Sequence, residues 1–560
     1  MSARSIDPVS LGIMWDRLVS ICDEGAATLI RTSFSTLVRE GYDLSVMLFD
    51  AEGRMIAQST KCIPVFIGTA PVTISHMLKR FPPDKLSPGD VVISNDPVIG
   101  TGHMYDIAVM RPVYDDATCI VGYTMSITHL PDIGGMGFSA AATELYHEGL
   151  RLPICKLVKA GVMEEMILDL IRLNVRVPEQ VVGDIMAGVS CTEVVGRQLR
   201  DFMREYQLSS IGELSTLIRG QTERAVRTSL AAIPDAVYES AFDVEALGDP
   251  VRLACRIEKQ GEEMRISFEG TGPCVRSGIN VPICYSRSMA LYSIKCLTTP
   301  NVPNNDGATA PITVSAPAGC ILNAIAPAPS AGRHIIGHFV MPLIFAALAK
   351  AMPDRITADS GLINILTFQG RLRNGTPFAA TYFAAGGFGA LDGLDGHPTT
   401  PGSSNMACTP TEVFEDLTGM TILRKAIRPD SGGVGTYRGG PGQEIVMRND
   451  TGYPIAVFSM ANRTAFAARG ADGGGPGALR EHSIDGTPIS PTGRHDLPAG
   501  GILTILEAGG GGFGAPAKRP RAAVLADVER GFLTPAGAKA GYGIDIATEA
   551  AQTGPHEIAS

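Results

Sequence analysis

The apolar residues of this chain change period several times along its length, and the order of those periods limits the folds open to it. From Tyr42 to Thr128 they fall in short runs separated by turn residues: Leu44 to Phe49, Met55 to Ala57, Val91 to Ser94, Ile107 to Tyr114 and Cys119 to Thr128. Such runs read as strands, with Glu52-Gly53 and Asp115-Asp116 as hairpin turns. From Met163 to Ile233 the spacing becomes helical. Met163, Ile167, Leu170 and Ile171 form one stripe; Val181, Val182, Ile185, Met186 and Val189 form another, with a break at Pro178. Alternation returns at Val251, Leu253, Cys255 and Ile257, turns at Gln260-Gly261 and continues from Met264 to Phe268.

Glycine punctuates the last third: Ser431-Gly432-Gly433-Val434-Gly435, Gly439-Gly440-Pro441-Gly442, Gly473-Gly474-Gly475 and Gly509-Gly510-Gly511-Gly512. Clusters of this kind mark tight turns or close approach of backbones. Two further helices are expected, one from Pro8, capped by Asp7, to about Thr32, and one from Thr69 to Phe81. The pattern predicts an α+β protein of mixed, multi-domain architecture, with a strand-rich front, a central long-helix region and a Gly-rich, β-rich C-terminal part. A length of 560 residues exceeds one ordinary core. We divide it into an N-terminal α/β domain with the helical region, 1–240, and a β-rich C-terminal domain with Gly-rich turns, 241–560.

Charge excludes some functions. A net charge of −10 with one short basic cluster, Lys518-Arg519-Pro520-Arg521, does not suit a nucleic-acid binder. The most apolar long stretch, His338 to Met352, is interrupted by Pro342 and Lys350 and is too short for a bilayer span. The N-terminus starts an ordinary helix instead of a signal peptide, so a cytoplasmic location is expected. The 11 cysteines include no CxxC pair, which predicts reduced thiols in place of a zinc ribbon or a disulfide framework.

Two segments share one pattern, His103-Met104-Tyr105-Asp106-Ile107 and His129-Leu130-Pro131-Asp132-Ile133, each at a strand end or turn. A neutral imidazole and an ionised carboxylate together make a ligand pair for a divalent first-row metal; alternatively the acid orients the ring from behind. Asp43, at the start of the first hairpin, is a further carboxylate. The donor set is nitrogen and oxygen only, which suits Zn, Mn or Fe. The competing reading makes these histidines hydrogen-bonded loop residues and the acids turn formers. A GxxxxGK[ST] loop and a GxSxG elbow are both absent, so any ATP is expected on another chain. Arg333, His334 and His338 lie at a helix start, with the two histidines spaced to share a face, and are secondary candidates for substrate or interface contact.

These segments resemble the hydantoinase B/oxoprolinase family. The resemblance is carried by Asp43-Leu44-Ser45, by Ser94-Asn95-Asp96-Pro97 through His103 and Asp106, by Thr128 to Gly135, by Glu148 to Pro153, by Ser277-Gly278-Ile279-Asn280, and by Gly509 to Gly514. It implies that Asp43, His103, Asp106 and His129 are metal ligands, that Asp132 orients a ligand, and that the strand-rich front is the metal-site region. It further implies a hetero-oligomer with a hydantoinase A-type, actin-like ATPase subunit that phosphorylates the substrate. The expected activity is ATP-dependent hydrolysis of a cyclic amide (hydantoin, lactam or oxoproline) by metal-activated water, with Asp132 or Glu148 handling protons. The alternatives are a subunit of an ATP-dependent ketone carboxylase and a non-catalytic scaffold for the ATPase. Where many members carry Gly-Gly-Thr-His-Leu-Pro-Asp, this chain has Gly100-Thr101-Gly102-His103-Met104-Tyr105-Asp106, which keeps the His and Asp and changes their surroundings.

Overall fold

The computed structural model describes residues 6–246, 248–490 and 492–546. It contains helices and several sheets, as the changing periods predict. The first helix, α1 (Pro8–Thr32), starts where Asp7 accepts the N–H groups of Val9 and Ser10. It is followed by α2 (Thr36–Arg39), α3 (Phe66–Arg80), α4 (Glu165–Asn174), α5 (Pro178–Glu205) and α6 (Gly212–Ala231). Pro178 is the first residue of α5, where its missing N–H costs no hydrogen bond.

Between these helices run β1 (Leu44–Asp50), β2 (Met55–Gln58), β3 (Val91–Ser94), β4 (Asp106–Tyr114), β5 (Ile120–His129), β6 (Cys155–Lys159) and β7 (Val162–Met163). They form one seven-stranded sheet in the order β2-β1-β5-β4-β3-β6-β7. Its two faces serve different purposes. Leu44, Val46 and Leu48 of β1 and Val113 of β4 join a core with Leu18, Ile21 and Leu29 of α1 and Ala187, Cys191 and Val195 of α5. On the same face, Thr124 and Ser126 of β5 hydrogen-bond to the carbonyls of Thr192 and Gly188. Because strand side chains alternate, the odd residues Asp43 and His129 and the even residue Asp106 project from the other face.

A second sheet in the order β11-β10-β9-β8 is built from β8 (Ala236–Val244), β9 (Val251–Gln260), β10 (Glu263–Ser267) and β11 (Ile312–Ser315). Helices α7 (Ile283–Thr298), α8 (His334–Gly337) and α9 (Val340–Leu348) complete this part, and Ser240 Oγ donates to the Leu343 carbonyl at 2.6 Å. The chain forms two compact units. Among the described residues, the first runs up to Ala351 and includes Thr367–Tyr382 and Ser404–Thr418; the second is Met352–Leu366, Phe383–Ser403 and the residues from Gly419 onward. A boundary at 240/241 would cut through β8, and the alternating run after 241 belongs to the first unit, tied by β8 to the preceding residues.

The remaining strands are β12 (Ile363–Arg371), β13 (Pro377–Ala385), β14 (Met420–Ile427), β15 (Gln443–Asn449), β16 (Ile455–Met460), β17 (Glu481–Ile484), β18 (Thr487–Pro488), β19 (Thr492–Leu497) and β20 (Ile502–Leu506). They form sheets ordered β13-β12-β16-β19 and β14-β15-β20-β17-β18. In the second unit most of the glycine clusters are not turns. Their backbones lie directly against one another, with Gly433 N donating to Gly510 O and Gly510 N to Gly440 O. A Cβ on Gly509 would sit 1.7 Å from the Ser431 oxygen, so close approach is what requires glycine there. No helix among the described residues is long and apolar enough to cross a membrane.

Candidate metal centre

The register of β1, β5 and β4 assembles the site. Leu44 pairs with Thr128, which puts Asp43 beside His129, and the His129 N–H donates to the Asp43 carbonyl at 3.2 Å. On the other side His129 pairs with Asp106. Asp43, His129 and Asp106 therefore form one row across three strand ends, and residues in such a row share a face. His103 comes from the loop before β4, three residues ahead of Asp106, and its Nε2 lies 3.0 Å from Asp106 Oδ1.

Donor atoms of His103, Asp106 and His129 all lie within 4.8 Å of one another, and all three residues are buried. Asp43 is buried beside this group without belonging to it. The imidazole orientations suit a cation. His103 Nδ1 is 3.0 Å from the Ala331 carbonyl and His129 Nδ1 is 2.9 Å from the Leu130 carbonyl. A carbonyl oxygen can only accept, so each Nδ1 carries the proton and each Nε2 is left with its lone pair. His103 Nε2 has no hydrogen-bond partner among the described residues.

Electrostatics point the same way. Burial lowers both imidazoles, His129 to about 3, which keeps them neutral and able to ligate. Burial acts to raise Asp106, but its charged surroundings, the Arg333 guanidinium among them, outweigh it and hold the carboxyl below its usual range. Asp43 is pushed well up by burial and by the charge of Asp106. Two buried carboxylates that resist joint ionisation, facing two neutral imidazoles, are a donor set that a divalent cation would satisfy.

The two His-x-x-Asp segments differ in structure. Asp106 joins its histidine, whereas Asp132 does not orient His129: its Oδ1 accepts from Gly134 N at 3.1 Å and from Arg176 Nη1 at 2.8 Å, and its Oδ2 accepts from Arg176 N. The reason is position. Asp106 is the first residue of β4, while Asp132 lies past the end of β5 in the irregular segment that follows, and the orienting acceptor of His129 is a backbone carbonyl. Glu148 is buried, and its Oε1 accepts the N–H groups of Ser330 and Ala331 at 2.5 and 2.6 Å, while Oε2 has no partner among the described residues. Burial raises its carboxyl to about 7 against the pull of those two N–H groups.

His334 is buried with Nε2 unpartnered among the described residues. Its ring is 6.0 Å from Phe138, which is 4.9 Å from the ring of His129. Three further residues fix the surroundings of the site: Arg333 was a secondary candidate in the sequence and Asn95 lay in a resembling segment, whereas Arg176 carried no signal. Arg333 Nη2 donates to Asp106 Oδ2 at 2.8 Å. Arg176 holds Asp132. Asn95 Nδ2 donates to the carbonyls of Met104 and Leu150, and Asn95 Oδ1 accepts from Leu152 N, joining the site loop to the segment that follows Glu148.

Fold and site together define a class: mixed α+β proteins with a buried imidazole and carboxylate cluster at the ends of adjacent strands. The hydantoinase B/oxoprolinase family pattern matches residues 7–516, and this chain belongs to that family. It is 28% identical to the caprolactamase subunit beta of Pseudomonas jessenii, over 97% of each chain. The crystal structure of the ATP-dependent caprolactamase from that organism superimposes with a TM-score of 0.89 at 26% identity, covering 97% of each chain. The 5-oxoprolinase of Saccharomyces cerevisiae is 30% identical over 91% of this chain, which spans 42% of that longer protein. A nucleotide-free acetone carboxylase shares the fold, with a TM-score of 0.85 at 18% identity over 96% of this chain and 79% of that one.

Proposed function

We propose that this chain is the metal-holding subunit of an ATP-dependent enzyme that opens a cyclic amide. The observation that carries the reading is the pair of Nδ1-to-carbonyl contacts, which leave two buried Nε2 lone pairs beside Asp106. Likeness to the caprolactamase along the whole chain directs it toward hydrolysis. Likeness to acetone carboxylase extends to the fold and does not favour carboxylation.

An amide resists attack because its nitrogen donates into the carbonyl. Phosphorylation of the carbonyl oxygen removes that donation and opens the carbon to hydroxide; departure of the ring nitrogen from the resulting tetrahedral carbon leaves an acyl phosphate, which a second water hydrolyses to the carboxylate and phosphate. The phosphorylating partner in this reading is a hydantoinase A-type, actin-like ATPase subunit. Such a partner is supported by the likeness of this chain to one subunit of the caprolactamase and by the large part of the yeast 5-oxoprolinase that this chain does not span. His103, Asp106 and His129 would hold a Zn, Mn or Fe ion, with Asp43 as a fourth donor. Such an ion acts as a Lewis acid and makes hydroxide accessible near neutral pH.

The chain's own acids divide the remaining work. Asp132 has both oxygens committed to Arg176 and Gly134, so it shapes the loop. In this reading Glu148, about half protonated near neutral pH and with no partner for Oε2 among the described residues, supplies the proton to the departing ring nitrogen. The test is to purify the chain with its ATPase partner and assay a panel of lactams, hydantoins and 5-oxoproline with ATP, with and without a chelator. Ring opening that needs ATP and is lost on chelation supports the reading. ATP turnover that requires bicarbonate and a ketone instead would replace it with carboxylation.

A further inference from the structure

The segment just ahead of α8 touches three parts of the site at once. Ala331 O faces His103 Nδ1, the N–H groups of Ser330 and Ala331 hold Glu148, and Arg333 holds Asp106. Arg333 is itself fixed from several directions. It is 5% exposed; its Nε donates to the Thr101 carbonyl at 2.8 Å, and its guanidinium carbon lies 4.3 Å from the centroid of the Tyr285 ring. The backbone at Gly102, at φ +94, leaves no room for a side chain, since a Cβ there would come within 2.8 Å of Arg333 Cδ. The guanidinium and the loop bearing His103 and Asp106 thus lock each other in place.

A carboxylate has two oxygens, and this lock uses one of them. Arg333 Nη2 takes Asp106 Oδ2 at 2.8 Å, leaving Oδ1 beside His103 Nε2. We propose that Arg333 is a positioning residue that restricts Asp106 to one donor oxygen and thereby selects a first-row transition ion over Ca²⁺ and Mg²⁺. The chemistry follows from the donors. Calcium takes about 6–8 oxygen ligands and commonly uses both oxygens of a carboxylate, and magnesium favours an oxygen octahedron rich in water. Two imidazole nitrogens with a one-oxygen Asp106 and Asp43 as the fourth donor give a small, mixed nitrogen and oxygen set that suits Mn, Fe, Co or Zn. Freed of Arg333, Asp106 could turn both oxygens inward and admit the larger ion. The inference rests on the metal-holding role proposed above.

The experiment uses the full chain, stripped of metal and titrated by calorimetry with Co²⁺, Ca²⁺ and Mg²⁺, with the Co²⁺ visible spectrum as a second readout. The wild type should bind Co²⁺ much more tightly than Ca²⁺. R333Q should weaken Co²⁺ by about 10–100-fold, the range for loss of a group that orients a ligand. Its Ca²⁺ affinity should not fall in parallel, so that the Co²⁺/Ca²⁺ ratio drops at least about tenfold, with an altered Co²⁺ spectrum. R333K keeps one charge but cannot reach both Thr101 and Asp106, so it should lose part of the ratio; it decides the matter if R333Q does not fold. A ratio and spectrum unchanged from wild type in either folded variant would overturn the inference while leaving the metal site standing. If wild type and H103A bind Co²⁺ equally, or neither binds it, the metal site itself fails, and the inference with it.

Discussion

At the scale of single residues, the site depends on which atom of each side chain is already engaged. His103 and His129 spend Nδ1 on carbonyls, and Asp106 spends Oδ2 on Arg333, so the remaining atoms converge. Replacing His129 by Ala removes one of these donors and is expected to lower metal occupancy and reduce ATP-dependent ring opening at least about 100-fold, measured by metal analysis and product formation. Glu148 permits a test that needs no substrate. Its value in the folded chain, about 7, lies above the ordinary 4.5, so the stability it contributes is complete below about pH 4.5 and is lost as pH rises through about 7. The E148Q variant would keep an oxygen to accept from Ser330 and Ala331 and would never ionise at this position. Between about pH 5 and pH 8 the metal-free wild type should therefore lose on the order of 3 kcal/mol relative to E148Q in denaturant titrations. A difference that does not vary with pH would show that Glu148 ionises normally.

At the scale of elements, strand register does the assembling. The strands were legible because alternation and turn residues bounded them, and three of the polar residues sit at their ends: Asp43 before β1, Asp106 opening β4 and His129 closing β5. Which acid accompanies which histidine was not legible. Both His-x-x-Asp segments have the same spacing, and only pairing of His129 with Asp106 separates them; Asp132 answers to Arg176, a residue 44 positions away. Arg333 was visible only as a neighbour of His334, because its partners Thr101 and Asp106 are brought to it by tertiary folding. The glycine clusters were legible as composition, but the backbone layering they permit depends on contacts between distant segments such as Ser431 and Gly509. Gly509→Ala should destabilise the second unit by about 3 kcal/mol or more, since the added methyl meets backbone and not a movable side chain. Thermal unfolding of the variant checks this, and an unchanged midpoint would contradict the close packing.

At the scale of the whole molecule, the cluster and every group that orients it lie in the first compact unit, before Ala351. The likeness to the caprolactamase subunit covers 97% of the chain and so runs through both units. ATP chemistry is expected from a second subunit, so this chain alone should open no lactam, and adding the ATPase partner should make ring opening depend on ATP. The most direct measurement is single-turnover product formation by the reconstituted pair, with the H103A/H129A double variant of this chain alongside wild type. The metal-site reading predicts that ATP is still consumed by the partner in the double variant while ring-opened product falls to background and metal is lost from this chain. Product formation at the wild-type rate by a double variant that holds no metal would contradict it.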